Sequence, residues 1–187
     1  MNETKASLRD EYRKARKSFA LSAGRKVRTQ LEAHALRLMR DLRATSAEVC
    51  LYRPQKDEAQ FEFEPRQNFF YPRIESDNLR FLKPDSARFL TNKFGIEEPD
   101  PSKAEALGPG RHLIFTPAVA VDTAGGRLGM GKGYYDRIFQ SRPECIRIGL
   151  VYQVQVSKNP LPADEWDQKL DWIVTEQMIL QTSRRSS

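Results

Sequence analysis

The chain has 187 residues, 39% of them hydrophobic and 30% charged, a length that suits about one domain with a core of its own. No apolar run approaches the roughly 18 residues needed to cross a bilayer and residues 1–20 lack the apolar stretch of a signal peptide, so the expectation is a soluble, cytoplasmic protein with no membrane partner. The net charge is +6, yet residues 1–43 alone hold 12 Lys/Arg against 5 Asp/Glu, so the basic excess lies in the first quarter of the chain, where it attracts phosphate of some kind without choosing between nucleic acid and a bound nucleotide.

From Glu3 to Ala20, Leu8, Tyr12, Ala15 and Phe19 recur at helical spacing, which predicts an amphipathic helix. Leu21-Ser22-Ala23-Gly24 breaks it. Ser22 is placed to cap a second helix, whose Val27, Leu31, Ala35, Leu38 and Leu42 keep the same period to about Arg43, and the pair reads as an N-terminal α-hairpin. Strand-like runs follow at Ala47–Arg53, Asn68–Ile74, Leu79–Leu82, His112–Val121, Ile146–Tyr152 and Asp171–Thr175, several of them apolar at successive positions, as in strands buried on both faces. Between them Asp57–Glu64, Ser86–Phe94, Tyr134–Ser141 and the Pro/Gly-rich Glu97–Gly110 read as helices or loops. The alternation predicts an α/β fold, a single domain over residues 1–180 with a mainly parallel sheet flanked by helices, and a disordered tail over 181–187. Cys50 and Cys145 form no CxxC, and with only His34 and His112 no zinc cluster is in prospect; both thiols are expected to be reduced and structural.

The segment Gly125-Gly126-Arg127-Leu128-Gly129-Met130-Gly131-Lys132-Gly133-Tyr134-Tyr135-Asp136-Arg137 follows an expected strand and leads into an expected helix. That is the layout of a phosphate cradle, in which glycines turn successive N–H groups toward one point and the helix N-terminus adds partial positive charge. Arg127 and Lys132 bracket the loop and suit the β- and γ-phosphates of a nucleotide, while Asp136 suits Mg²⁺. The spacing matches neither GxGxxG nor GxxxxGK[ST], and five glycines within nine residues are also compatible with a mere tight connection.

With its flanks, RLGMGKGYYDR resembles the signature of the 5-formyltetrahydrofolate cyclo-ligase family, also called 5,10-methenyltetrahydrofolate synthetases. Lys5-Ala6-Ser7-Leu8-Arg9, Tyr52…Glu58, Tyr71-Pro72-Arg73, Gly95-Ile96-Glu97-Glu98-Pro99, Leu113–Asp122 and Leu161–Glu176 follow in that family's order, so the similarity spans about residues 5–176. The resemblance implies a Rossmann-like three-layer fold and an ATP- and Mg²⁺-dependent ligase. Its reaction closes 5-formyltetrahydrofolate to 5,10-methenyltetrahydrofolate, with release of ADP and phosphate, through a phosphorylated formyl group.

The resemblance also assigns roles. ATP falls to Lys5, Arg9 and the run Arg127, Leu128, Gly129, Met130, Gly131, Lys132, Gly133, Tyr134 and Tyr135; the folate to Tyr52, Glu58 and Met130–Tyr134; the metal to Asp136 and Asp167. Arg127, Lys132 and Tyr134 are the expected catalytic positions. Lys5 and Arg9 stand one helical turn apart, so both reach one side, whereas Arg13, Lys14, Arg16 and Lys17 read as a solvated basic face. Of Tyr134 and Tyr135, one is expected in the core and one in the site. Asp57 adjoins Glu58, which leaves two acids for the pterin, and Ala59-Gln60-Phe61 replaces the family's V-x-T. Trp166, His112, Ala118 and Val121 depart from the usual residues elsewhere. ATP and the folate are the expected partners of a monomer, with no nucleic acid. The residues leave open a phosphate- or RNA-binding module, with stacking by Phe69, Phe70 and Tyr71, and an ATP-using paralogue with another second substrate.

Overall fold

The computed structural model describes residues 4–42, 48–63, 68–85 and 88–182. Helix α1 spans Lys5–Ser22 and opens with a capping box, in which Thr4 Oγ1 accepts from Ser7 N and Ser7 Oγ accepts from Thr4 N, both at 3.1 Å. Helix α2 spans Arg25–Asp41, with Gly24 as its N-cap. Ser22 is not that cap: it is the last residue of α1, and its hydroxyl donates back to Phe19 O at 2.9 Å. Glu3, Arg43 and Ala47, where expected elements began or ended, lie outside the described residues.

Thirteen strands and a third helix are described in the rest of the chain: β1 (Val49–Cys50), β2 (Phe69–Glu75), β3 (Asn78–Lys83), β4 (Phe89–Thr91), β5 (Glu97–Pro99), β6 (Glu105–Ala106), β7 (Leu113–Thr116), β8 (Ala120–Asp122), β9 (Arg127–Leu128), α3 (Tyr134–Ser141), β10 (Ile146–Leu150), β11 (Val156–Ser157), β12 (Trp172–Val174) and β13 (Ile179–Gln181). Eight strands form one sheet in the order β13-β12-β10-β7-β1-β2-β3-β6. Pairing is parallel from β12 to β2 and antiparallel at both edges, where β13, β3 and β6 are added. The fold is thus mixed α/β on a largely parallel sheet.

Strand alternation sorts the core into two layers. Val49, Phe69, Leu113, Phe115, Ile146, Ile148, Leu150 and Val174 point to one face, where Leu31, Ala35 and Leu38 of α2 cover them. Cys50, Phe70, Ile114 and Ile173 point to the other, against Phe139 of α3 and Leu170. Successive apolar positions in β1, β2 and β7 are the consequence, as the sequence implied, whereas β10 carries Arg147 and Gly149 on the second face. Phe69 and Phe70 are buried in these layers, 2% and 1% exposed, so neither is available to stack on a base.

Several boundaries differ from expectation for local reasons. The run from His112 to Val121 is two strands, because Pro117 has no N–H for a ladder; Gln155 Nε2 instead takes Ala118 O at 2.7 Å and Val119 O at 3.1 Å. That turn sends β8 into a second sheet, β11-β8-β9. Asp57–Glu64 is loop in its described part, while Ser86–Phe94 contains β4 and Glu97–Gly110 contains β5 and β6. Residues 181 and 182 are not tail: Gln181 belongs to β13, and buried Thr182 donates to Leu170 O at 2.5 Å.

Candidate active site

The glycine segment is aimed by a buried turn. Asp122, at the end of β8, accepts from Ala124 N and Gly126 N on Oδ1 (2.9 and 2.8 Å) and from Leu161 N on Oδ2 (2.8 Å). Its carboxylate thereby folds β9 back on β8 and ties residue 161 beneath the loop. Gly131 and Gly133 have φ of +93° and +65°, the left-handed region that side chains avoid, so the chain turns there into α3. No side chain caps α3, which leaves its first amides for a ligand.

Above this loop lies a cavity of about 610 Å³, the size of a small-molecule site. All fifteen residues named from the sequence line it: Lys5 and Arg9 from α1, Tyr52 and Glu58 from the chain after β1, Arg127–Tyr135, and Asp136 and Asp167. Tyr134 carries the Arg137 guanidinium 5.2 Å over its ring, whereas Tyr135 packs into the core behind α3 while still touching the cavity. Burial pushes the Tyr135 phenol far up, so it stays protonated at any working pH.

One end of the cavity is an ionic cluster. Lys5 Nζ lies 2.6 Å from Asp164 Oδ2 and also contacts the Asp167 carboxylate, which accepts Asp164 N at 2.8 Å. Burial disfavours both charges, but the pairing prevails, holding Lys5 above and Asp167 below their ordinary ranges. Arg127 Nη2 lies 2.7 Å from Asp136 Oδ2, both side chains largely buried, and Asp136 Oδ1 accepts the amide of Gln168 at 3.2 Å. Asp136 is therefore not a helix cap, and it meets the residue next to Asp167. Arg9 Nε donates to Gly129 O at 2.9 Å and ties α1 to the loop, while Lys132 is exposed on it. Among the described residues no three His, Cys, Asp or Glu side chains cluster as a metal cage. Asp136 and Asp167 both line the cavity, facing Arg127 and Lys5 respectively, and carboxylates are the donors that Mg²⁺ takes beside waters and substrate phosphates.

At the other end stands Glu58, only 9% exposed, accepting Gln55 N on Oε2 at 2.9 Å. Burial raises its carboxyl above the ordinary range, against the Gln55 amide and the charge of Arg16. Asp57 turns toward α1, where its Oδ2 accepts from Arg16 Nη2 at 2.7 Å. Tyr52 lines the cavity and donates its hydroxyl to Leu150 O at 3.0 Å. Phe94, Met130 and Trp166 also line the cavity, each more than half exposed. Phe94 arrives on the β4–β5 hairpin, which buried Glu98 fastens to β2 by accepting Ile74 N at 3.0 Å and Asn92 Nδ2 at 2.7 Å.

Sequence reasoning missed three parts of this site. Arg16, read as solvated, is 3% exposed; its position four residues after Tyr12, on the apolar stripe of α1, was the available signal. Asp164, the second partner of Lys5, carried none. Asp122 was legible only as an Asp before Thr-Ala-Gly-Gly, a turn former whose side chain bonds nearby amides. Of the two histidines, His34 Nδ1 meets Thr175 O at 2.8 Å and His112 Nε2 meets Gly108 O at 3.1 Å.

The model of the 5-formyltetrahydrofolate cyclo-ligase family matches residues 1–176. The chain is 31% identical over 179 residues to the 5-formyltetrahydrofolate cyclo-ligase of Haemophilus influenzae, covering 88% of this chain and 94% of that one. It is 27% identical over 199 residues to that of Mus musculus, covering 94% and 95%. The structure of Aquifex aeolicus 5,10-methenyltetrahydrofolate synthetase superposes with a TM-score of 0.69 at 29% identity, over 93% of this chain and 92% of that one. A Mycoplasma pneumoniae synthetase shares the fold with a TM-score of 0.62 at 23% identity, over 93% and 99%. With a matching family model along nearly its whole length and relatives of its own size, this chain belongs to the 5-formyltetrahydrofolate cyclo-ligase family and is an enzyme of that kind.

Proposed function

We propose that the protein converts 5-formyltetrahydrofolate to 5,10-methenyltetrahydrofolate with Mg-ATP, releasing ADP and phosphate. The carrying observation is that one cavity joins a cationic glycine loop to a buried carboxylate. Lys5, Arg9, Arg127 and Lys132, with the amides of residues 128–135, suit the triphosphate. Glu58 suits the amino-pyrimidinone edge of a pterin, since an ionised carboxylate accepts a pair of N–H donors.

An amide oxygen is a very poor leaving group. The formyl oxygen therefore attacks the γ-phosphoryl group, ADP departs, the neighbouring folate nitrogen adds to the formyl carbon, and phosphate leaves as the ring closes. The protein's task is to align two substrates and stabilise charge on the moving phosphoryl group, with no side-chain nucleophile. Lys132 on the loop and Arg127 behind it supply that charge, and Tyr134 shapes the junction of the two substrates. Asp136 and Asp167 would hold Mg²⁺, which when bound screens the phosphate oxygens.

The same reading makes residues 1–180 one catalytic domain in a Rossmann-like three-layer arrangement, with α1 and α2 as a hairpin. The cover of α2 on one sheet face and α3 on the other supports it. It also makes the protein a cytoplasmic monomer whose partners are small molecules and not nucleic acid. Among the described residues no helix is long and apolar enough to cross a membrane.

Glu58→Gln tests the folate half. The amide replaces one acceptor by a donor facing the pterin N–H groups, so 5-formyltetrahydrofolate binding should weaken by about 2–4 kcal/mol with Mg-ATP affinity unchanged. Calorimetry with each ligand decides; undiminished folate affinity removes Glu58 from the site.

A further inference from the structure

We infer that Arg16 is a positioning residue for the folate site, acting through Glu58; this rests on the functional reading above. The observation is a triad, buried at Arg16 and Glu58, that joins α1 to the loop after β1. Arg16 Nη2 donates to Asp57 Oδ2 at 2.7 Å, its Nη1 lies 3.7 Å from Glu58 Oε1, and the same Nη1 reaches Ala118 O at 3.4 Å. The Arg16 side chain is 4% exposed and that of Glu58 is 11% exposed, whereas that of Asp57 is 34% exposed.

The geometry divides the labour. Asp57 sits on the solvent side and anchors the guanidinium, so the fork is fixed before any ligand arrives. Glu58 faces the cavity, with one oxygen on Gln55 N and the other toward Arg16 without a close hydrogen bond. That second oxygen has capacity left for a donor. One cation serves two acids, so the triad carries one surplus negative charge, which matches a ligand edge that presents N–H groups. Glu58 is the buried member; burial raises its carboxyl, and the Gln55 amide and the charge of Arg16 oppose that rise. The groups that face it are Arg16 from α1, Asp57 beside it, Tyr52 after β1 and Tyr135 from α3. Of these Arg16 alone is positive. Without it the Glu58 carboxyl rises further toward the protonated form, which offers the pterin a hydroxyl in place of an acceptor.

The test is the pH dependence of binding in Arg16→Met and Arg16→Lys, using 5-formyltetrahydrofolate and Mg-ATP as separate titrants. Arg16→Met should bind the folate at least tenfold more weakly at pH 7, with the deficit shrinking as the pH is raised and Glu58 ionises. Arg16→Lys, which keeps the charge but not the fork, should fall between Met and wild type, and Mg-ATP affinity should stay within twofold throughout. A folded Arg16→Met with wild-type folate affinity at every pH overturns the inference. So does an equal, pH-independent loss for both ligands, which would mark a merely structural role. If Arg16→Met does not fold, Arg16→Lys decides by the same two criteria, with at least a threefold loss confined to the folate and greatest on the acid side. Wild-type protein that fails to take 5-formyltetrahydrofolate refutes the functional reading and the role of Arg16 with it; wild-type binding with indifferent Arg16 variants refutes the role alone.

Discussion

Arg127 and Lys132 look equivalent in sequence, two cations bracketing one glycine loop, but the structure gives them different neighbours. Lys132 is exposed, so Lys132→Ala should leave the melting temperature alone and weaken ATP binding by about 1.5–3 kcal/mol, the loss of one charge-assisted hydrogen bond. Arg127 is 5% exposed on its side chain and paired with Asp136. Arg127→Ala strands a largely buried carboxylate and should cost about 1–3 kcal/mol of stability as well, visible as a lower melting temperature. Wild-type ATP affinity in both variants would remove them from the site. Asp136 and Asp167 are expected to act as a pair: Asp136→Asn and Asp167→Asn should each raise the Mg²⁺ needed for ATP binding, and the double variant should lose less than the sum. Strict additivity in calorimetry would separate them. Residue identities at this end were legible because charged side chains flank an unusual glycine pattern. The pairings were not, since nothing in Lys5 or Arg127 announces which carboxylate it meets.

Among the elements, those with a long period or a continuous apolar run were readable. Helices α1 and α2 follow their 3.6-residue stripes; β7 follows from Leu113–Phe115, where both sheet faces demand apolar side chains, and β10 from Ile146, Ile148 and Leu150 on one face, with Arg147 and Gly149 on the other. Strands β4, β5 and β6 escaped notice, because strands of two or three residues carry no periodicity. That loss matters for the site, since the β4–β5 hairpin delivers Phe94 to the cavity. The loop entering α3 makes its own test. Gly133→Ala forces a Cβ into the left-handed region, 3.1 Å from Arg137 Nη1, at a cost of about 1–2 kcal/mol. The variant should melt a few degrees lower and bind ATP more weakly, with folate affinity less affected. Unchanged melting and ATP binding would show that the loop is not held in this conformation.

Across the whole molecule, the site is assembled from the two ends of the chain. Lys5 meets Asp167 across 162 residues, and Arg9 meets Gly129 across 120. Helix α1 is therefore both wall and ligand surface, packing Leu8 on Ala120, Leu128 and Leu161 while its polar side faces the cavity. The order of motifs along the chain was enough to suggest the family, whereas their convergence on one cavity required the fold. Sequence periodicity put Arg16 on the apolar stripe of α1 but could not name its partners, because a buried guanidinium depends here on two acids about forty residues away in a loop without regular structure.

The central claim is that both ends of this cavity are filled together and that a phosphoryl group passes between their occupants. Mixing the protein with 5-formyltetrahydrofolate and Mg-ATP, and following the absorbance of 5,10-methenyltetrahydrofolate alongside the release of ADP, tests it most directly. The account predicts that the absorbance rises only when both substrates are present, with one ADP formed for each folate closed. No methenyl product under conditions where both ligands bind, or product formed without ADP, would contradict it.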